Sequence, residues 1–280
     1  MCLNCGAALI GPFCAQCGQR AIPAYPTMRE LVRDAWHEWS GYDGRVVRTF
    51  LTLLRAPGAL TVEALEGHRA RYVSPVRLYL VASLVYFLVA AASPNLDAPR
   101  STPAPESNVT IDLRNPEAAL ARLPPEKREE ISQNVERTVW WMRPIARAAL
   151  LDPAGFQRRL TENLPRTFFV LVPAFAAIVA LFYRRRSFAQ HLIFALHLHA
   201  AVFLLQAVHE AVDYTHSIRV SAVAAVILFS LTVAYSLVAF RRVYRESWPR
   251  VVAKSTAIAV VYAIVGIVAV MGTIAIVSLT

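Results

Sequence analysis

The chain has 280 residues, 56% of them hydrophobic and 17% charged, with a mean hydropathy of +0.42. A water-soluble domain carries about 25% charged and about 45–50% apolar residues, so this composition excludes an ordinary cytosolic enzyme and predicts an all-α polytopic membrane protein. The net charge of +10 gathers beside apolar runs, where membrane topology and anionic lipid explain it before nucleic acid does.

The four cysteines all fall within the first 17 residues. Cys2-Leu3-Asn4-Cys5-Gly6 and Cys14-Ala15-Gln16-Cys17-Gly18 are two CxxCG knuckles. A CxxC turn supplies two thiolates from one tight bend, with the next glycine free to adopt positive φ, and two such turns complete the tetrahedral sulfur shell of zinc. A closed shell leaves no position for substrate water, so zinc at Cys2, Cys5, Cys14 and Cys17 is expected to be structural. Two disulfides or an iron–sulfur centre would use the same residues. A cytoplasmic placement argues against the first, and short ribbon-like knuckles against the second. This zinc ribbon, residues 1–24, has too few apolar residues to fold without its metal. Its expected surface is Asn4, Gln16, Gln19 and Arg20, with Phe13 packed beneath. That surface is too weakly basic for DNA, so no nucleic-acid partner is expected and a protein-docking or structural role is favoured.

Residues 25–75 read as cytoplasmic amphipathic or interfacial helices. Thr27 to Glu30 form a capping box, and Met28, Leu31, Val32, Ala35, Trp36 and Trp39 share a face of a helix ending near Gly41. Val46 to Leu54 is a second apolar stretch with a basic rim. Lying in the membrane interface and packing on the spans or a partner suit both helices equally. Thr61 to Gly67 reads as a short helix capped by Thr61, followed by Arg69, Arg71 and Arg77, which can neutralise anionic headgroups.

Five apolar runs are predicted to span: Val76–Ala92, Thr167–Tyr183, Phe188–Val208, Val220–Phe240 and Ala257–Leu279, with a kink at Pro173. The last four form a transmembrane region over 167–280. The chain opens on cysteines and not on a basic region and apolar core, so the first span, 76–92, is expected to act as the targeting segment. Arg184, Arg185 and Arg186, and then Arg241, Arg242, Arg245, Arg250 and Lys254, occupy short loops that should be cytoplasmic. This predicts a multi-pass protein of the cell (inner) membrane with a cytoplasmic N-terminus and an extracytoplasmic C-terminus. Residues 93–166 should then lie outside, first as a proline-rich linker and then as helices, one of them placing Ile131, Val135, Thr138 and Met142 on one face.

Five histidines, His191, His197, His199, His209 and His216, lie in or just after the third span. At about 100° per residue His197 and His199 point roughly 160° apart, so one helix cannot aim both at one cofactor. Polar contacts between helices are their expected role. His209, Asp213 and His216 fall within about 60° on a helical wheel and could form a second metal site with open positions, or an ordinary polar helix end.

The pattern CxxCG…FCxxCGQ, then RAPG…EALEGHRARYVSPVRLYL, then AQHLIFALHLHAAVFLL, resembles an uncharacterised bacterial family of zinc-ribbon membrane proteins catalogued as a domain of unknown function. The resemblance is best over the first eighty residues or so and looser through the third span. The family's pattern has an acid before the first histidine of the last motif, where this chain has Gln190. The resemblance implies the architecture and no reaction. The expected function is therefore that of a non-enzymatic membrane component that docks a partner or self-associates. A small transporter or channel is the alternative, and a membrane metalloenzyme using His209, Asp213 and His216 is third.

Overall fold

A computed structural model describes residues 1–21, 45–92, 124–151, 153–214 and 217–279. The expected helix from Thr27, the proline-rich linker and His216 lie outside these residues. The described residues are mainly helical: α1 (Arg45–Arg55), α2 (Ala59–Leu65), α3 (Pro75–Ala92), α4 (Pro125–Glu136), a 3-10 turn at Trp140–Met142, α5 (Arg143–Leu151), α6 (Pro153–Phe182), α7 (Phe188–Asp213), α8 (Ile218–Tyr244) and α9 (Trp248–Leu279). The only β pairing among them is an isolated bridge between Phe13 and Arg20.

Four helices are long and apolar enough to cross a membrane: Gly155–Phe182 of α6, Phe188–Asp213, Ile218–Tyr244 and Trp248–Ser278. The α3 helix is apolar but shorter, with 18 residues. Burial runs opposite to what water would demand. The apolar window of α7 is 61% buried, whereas that of α9, the most apolar, is 6% buried. Val260, Ile264, Ile267, Val268 and Ile276 are all exposed. A helix apolar all round and open to its surroundings requires a non-aqueous environment, and this arrangement is compatible with a multi-pass membrane protein.

The chain divides into two compact units, one of Met1–Pro99 with Val172–Val260 and one of Arg100–Leu171 with Val261–Thr280. In the first, α7 is the centre. Tyr79, Tyr86 and Phe87 of α3 meet Phe203 at 5.8, 5.3 and 5.9 Å between ring centroids, and the Tyr214 hydroxyl donates to the Val89 carbonyl at 2.9 Å. These pairings advance together, so α3 runs parallel to α7. On α8, Phe240 and Tyr244 meet Phe194 and His191 respectively, which is the antiparallel register. Phe175 of α6 packs edge-on against His199 at 5.1 Å.

The α1 helix packs on the first unit with one face and leaves the other open. Thr49 and Leu53 are buried, while Val47, Leu51 and Leu54 are exposed. Its inner face is tied down by the Tyr235 hydroxyl, which donates to the Leu53 carbonyl at 2.7 Å. The α2 helix starts earlier than its sequence suggests. Gly58 occupies the cap position, so Thr61 stands inside the helix and its hydroxyl is released for another contact.

In the second unit α4 is shorter than the sequence suggests. It ends at Glu136, and Trp140–Met142 forms a separate turn. Arg143 bridges the break by donating to the Thr138 and Glu136 carbonyls at 3.3 and 3.5 Å. The hydroxyls of Thr167 and Thr273 lie 2.7 Å apart. The α6 helix continues unbroken through Pro173 and begins at Pro153, well before the expected span.

Candidate metal centre

The two knuckles have the same backbone plan. The Gly6 amide donates to Cys2 O and the Cys2 amide to Ala7 O at 2.9 and 2.7 Å; Gly18 to Cys14 O and Cys14 to Gln19 O repeat this at 2.9 and 2.8 Å. Each turn closes on a glycine of positive φ, 76° and 70°. The turns face each other and bring all four Sγ atoms within 4.8 Å of one another. Cys2 and Cys17 are 3.6 Å apart, as are Cys5 and Cys14. A zinc ion with sulfur at about 2.3 Å on tetrahedral corners sets sulfurs about 3.8 Å apart, so the donors fit that ion with little movement.

The thiols differ in acidity for local reasons. The Gln19 backbone amide and the Asn4 side-chain amide hold Cys17 down at about 6. The Cys17 and Gln16 amides lower Cys14. At Cys5 the Ala7 amide pulls downward, but burial and the neighbouring Cys17, Cys14 and Cys2 sulfurs outweigh it and push the pKa up to about 12. Four thiolates this close cannot all ionise without a cation between them, so metal binding here expels protons.

The knuckle surface differs from the sequence expectation at two residues. Phe13 is 60% exposed and does not pack beneath the knuckle, while Gln19 is only 8% exposed. The reason is a docking contact. Gln19 Nε2 donates to the Gly67 carbonyl at 2.7 Å, and its Oε1 accepts from the amides of Arg69 and Ala70 at 3.2 and 3.1 Å. Arg71 adds a bond to the Asn4 carbonyl at 3.3 Å. Gly67 has φ +90°, and a Cβ there would stand 2.8 Å from Leu3 Cδ1, so both conformation and space require glycine. The second knuckle's CGQ and the EGHRAR run are two halves of one joint.

Three of the four histidines of α7 meet three different elements. His191 Nδ1 is 2.8 Å from the Tyr244 hydroxyl of α8. His197 Nδ1 is 3.0 Å from the Thr61 hydroxyl of α2, with both residues buried. His199 Nδ1 bonds the Ala195 carbonyl at 2.8 Å, beside Phe175 of α6. The divergence of His197 and His199 agrees with the helical-wheel reading. The Thr61–His197 pair had no sequence signal beyond a threonine placed one turn into a helix.

Of the expected second metal site, His209 Nδ1 and Asp213 Oδ2 lie 3.6 Å apart, Asp213 also accepts from Ser221, and His216 lies outside the described residues. A group not singled out from sequence, Glu63, Glu66 and His68, also brings its ligand atoms within 4.8 Å, but Glu63 and His68 already bond each other at 3.0 Å. Gln190 has a structural task. Its Oε1 accepts from the Ser187 amide at 3.1 Å in a capping box that opens α7, a role open to Gln and Glu alike.

Neither a curated protein nor a solved structure matches this chain. Residues 43–87, which carry α1, α2, the knuckle-docking loop and most of α3, match the model of a family described as a protein of unknown function (DUF3667).

Proposed function

We propose that this is a non-enzymatic multi-pass membrane protein whose zinc-loaded knuckles clamp the loop before the first span and present a rigid docking face to a partner protein or a second copy. The observation that carries the reading is the joint itself. A four-sulfur cluster of zinc dimensions is tied through Gln19 to the Gly67–Ala70 backbone. Ile10 and Phe13, between the knuckles, are 97% and 60% exposed and supply the apolar part of the docking face.

Five crossings fit this reading best, because α3 tracks α7 from the knuckle end to Tyr214. Its 18 residues reach about 27 Å, close to a hydrocarbon core of about 30 Å. The Arg186 turn and Arg245 lie beside α2 at the same end as the knuckles, which through the positive-inside rule supports a cytoplasmic position for that end and a C-terminus across the inner membrane.

The test is metal content on detergent-purified full-length protein, a Cys2→Ser/Cys14→Ser variant and a chain lacking residues 1–24. About one zinc per chain, lost in both variants, is expected; metal that survives them overturns the centre. Cross-linking in cells tests the docking face. A cross-linked species that disappears with Ile10→Asp/Phe13→Asp supports it, and identical cross-links in both chains refute it.

A further inference from the structure

Between α2, the turn from α6 to α7 and the end of α8 lies an open groove of about 690 Å3. Arg185, Arg186 and Arg245 line it against the single carboxylate of Glu66. Three features separate it from ordinary solvated basic surface. First, Arg186 is fixed without any ligand: a terminal nitrogen donates to the Val243 carbonyl at 2.6 Å and the guanidinium lies 5.2 Å from the centre of the Tyr244 ring. Tyr244 is held in turn by His191 and by the Tyr183 ring stacked at 3.9 Å.

Second, Arg245 is the only non-glycine residue of positive φ among the described residues, at 55°, a conformation that disfavours any residue with a Cβ. Its partner Glu66 is 3.7 Å away, with the side chains 76% and 48% exposed; such a loose pair is easily exchanged for a stronger anion. Third, Arg185 is exposed and has no partner among the described residues, and Ser187 and Gln190 add the N-terminal end of the 26-residue α7, whose dipole favours negative charge.

We propose that this groove binds a phosphate group, with Arg185 and Arg245 as its exchangeable arms, Arg186 as its fixed floor and Glu66 as the internal anion that the phosphate displaces. Guanidinium forks match phosphate oxygens, and three of them suit a group whose negative charge is shared over two or more oxygens. The source is an anionic phospholipid headgroup or a free phosphate. The lipid source rests on the membrane reading above; the phosphate chemistry does not.

Native mass spectrometry of delipidated full-length protein, with phosphatidylglycerol as the lipid probe, and titration with inorganic phosphate test both sources. In Arg185→Gln/Arg245→Gln, binding of the responsive probe should weaken about tenfold or more. Arg184→Gln, a neighbour outside the groove lining, should bind like the parent, and Glu66→Gln should bind more tightly. A lipid that inorganic phosphate does not displace assigns the headgroup; phosphate that binds with the same variant pattern without lipid assigns the free anion. Equal binding of both probes by the parent and the double variant overturns the site, as does an equal loss in Arg184→Gln. Because Glu66→Gln predicts a gain, a folding defect cannot imitate the full pattern. If the chain is extracted without detergent the membrane reading fails, while the phosphate titration still decides the groove.

Discussion

Replacing Gln19 by alanine isolates the joint between the knuckles and the membrane helices. Its side chain makes three bonds to the Gly67–Ala70 loop, at 2.7, 3.2 and 3.1 Å, and no cysteine is touched. Two of the abandoned partners are not equivalent. The Arg69 amide keeps the Gly67 carbonyl at 3.0 Å, whereas the Ala70 amide loses its bond to Gln19. At roughly 1 kcal/mol per neutral bond, with up to about 1 more for a donor left unsatisfied, the docked state loses about 2–4 kcal/mol, or ~30- to ~1,000-fold in the docking equilibrium. Hydrogen exchange by mass spectrometry on the zinc-loaded protein reads this directly at residues 67–71. Faster exchange there, with unchanged zinc content, is expected. Gln19→Glu should behave like alanine or worse, because a carboxylate cannot donate to the Gly67 carbonyl and repels it. Unchanged protection of the loop in both variants would refute the joint.

Thr61→Val keeps the shape and removes the partner of His197 Nδ1, which is 3.0 Å away; a loss of about 1–3 kcal/mol is expected, read as a lower melting temperature in detergent, and an unshifted melt sinks the contact. Gly67→Ala should destabilise the joint both by its φ and by the approach to Leu3, whose Cδ1 and Cβ would stand 2.8 and 3.0 Å from the new Cβ, and Leu3→Ala should restore part of the loss by removing the Cδ1 contact; no rescue would place the effect in the backbone and the Leu3 Cβ contact that alanine keeps. In metal-free protein, Cys17, held at about 6, should alkylate at neutral pH while Cys5, pushed up to about 12, resists. The signs are opposite. Relative to the ordinary thiol value of 9.0, the lowered Cys17 contributes stability above that value and loses it as pH falls through about 6, whereas the raised Cys5 contributes below that value and loses it as pH rises through about 12. Peptide mapping across the pH range checks the order, and uniform reactivity of the two thiols would contradict it.

The long apolar helices were legible because hydropathy and helical hydrogen bonding agree along most of their length. The expected Phe188–Val208 and Val220–Phe240 lie inside helices that run to Asp213 and Tyr244. Their ends were not legible, because a charged residue stops an apolar run without stopping a helix. The α6 helix takes in Arg158, Arg159, Glu162 and Arg166 before its apolar part begins. The knuckles were legible down to their glycine conformations, since the CxxCG spacing dictates a local turn. No local signal marks Gln19 as anything but surface: its burial is made by a loop 48 residues away. The same limit hid Thr61–His197, separated by 136 residues. Sequence patterns report what neighbours in the chain impose, and both contacts are imposed from a distance.

The segment matching the uncharacterised family, 43–87, is where these distant contacts converge, and apart from the Thr61–His197 side-chain pair they converge on its backbone. Gln19 binds the main chain at Gly67, Arg69 and Ala70, the Tyr235 hydroxyl donates to Leu53 O, and Arg242 donates to Pro57 O at 2.7 Å. Thr49 completes the set from inside the segment, its hydroxyl donating to Arg45 O at 2.6 Å and accepting from the Val73 amide at 3.0 Å. A segment held by its carbonyls and amides keeps its path whatever its exposed side chains are, so α1, α2 and the loop act as a frame between the knuckles and α7. On the proposed zinc centre, occupancy and the position of that frame are then linked. If the metal orders the knuckles, it favours docking, and docking must favour the metal by the same free energy. Gln19→Ala should therefore weaken zinc by no more than the docking energy it removes, while Cys14→Ser, which breaks the sulfur shell, should free the loop at residues 67–71 as fully as loss of Gln19 does.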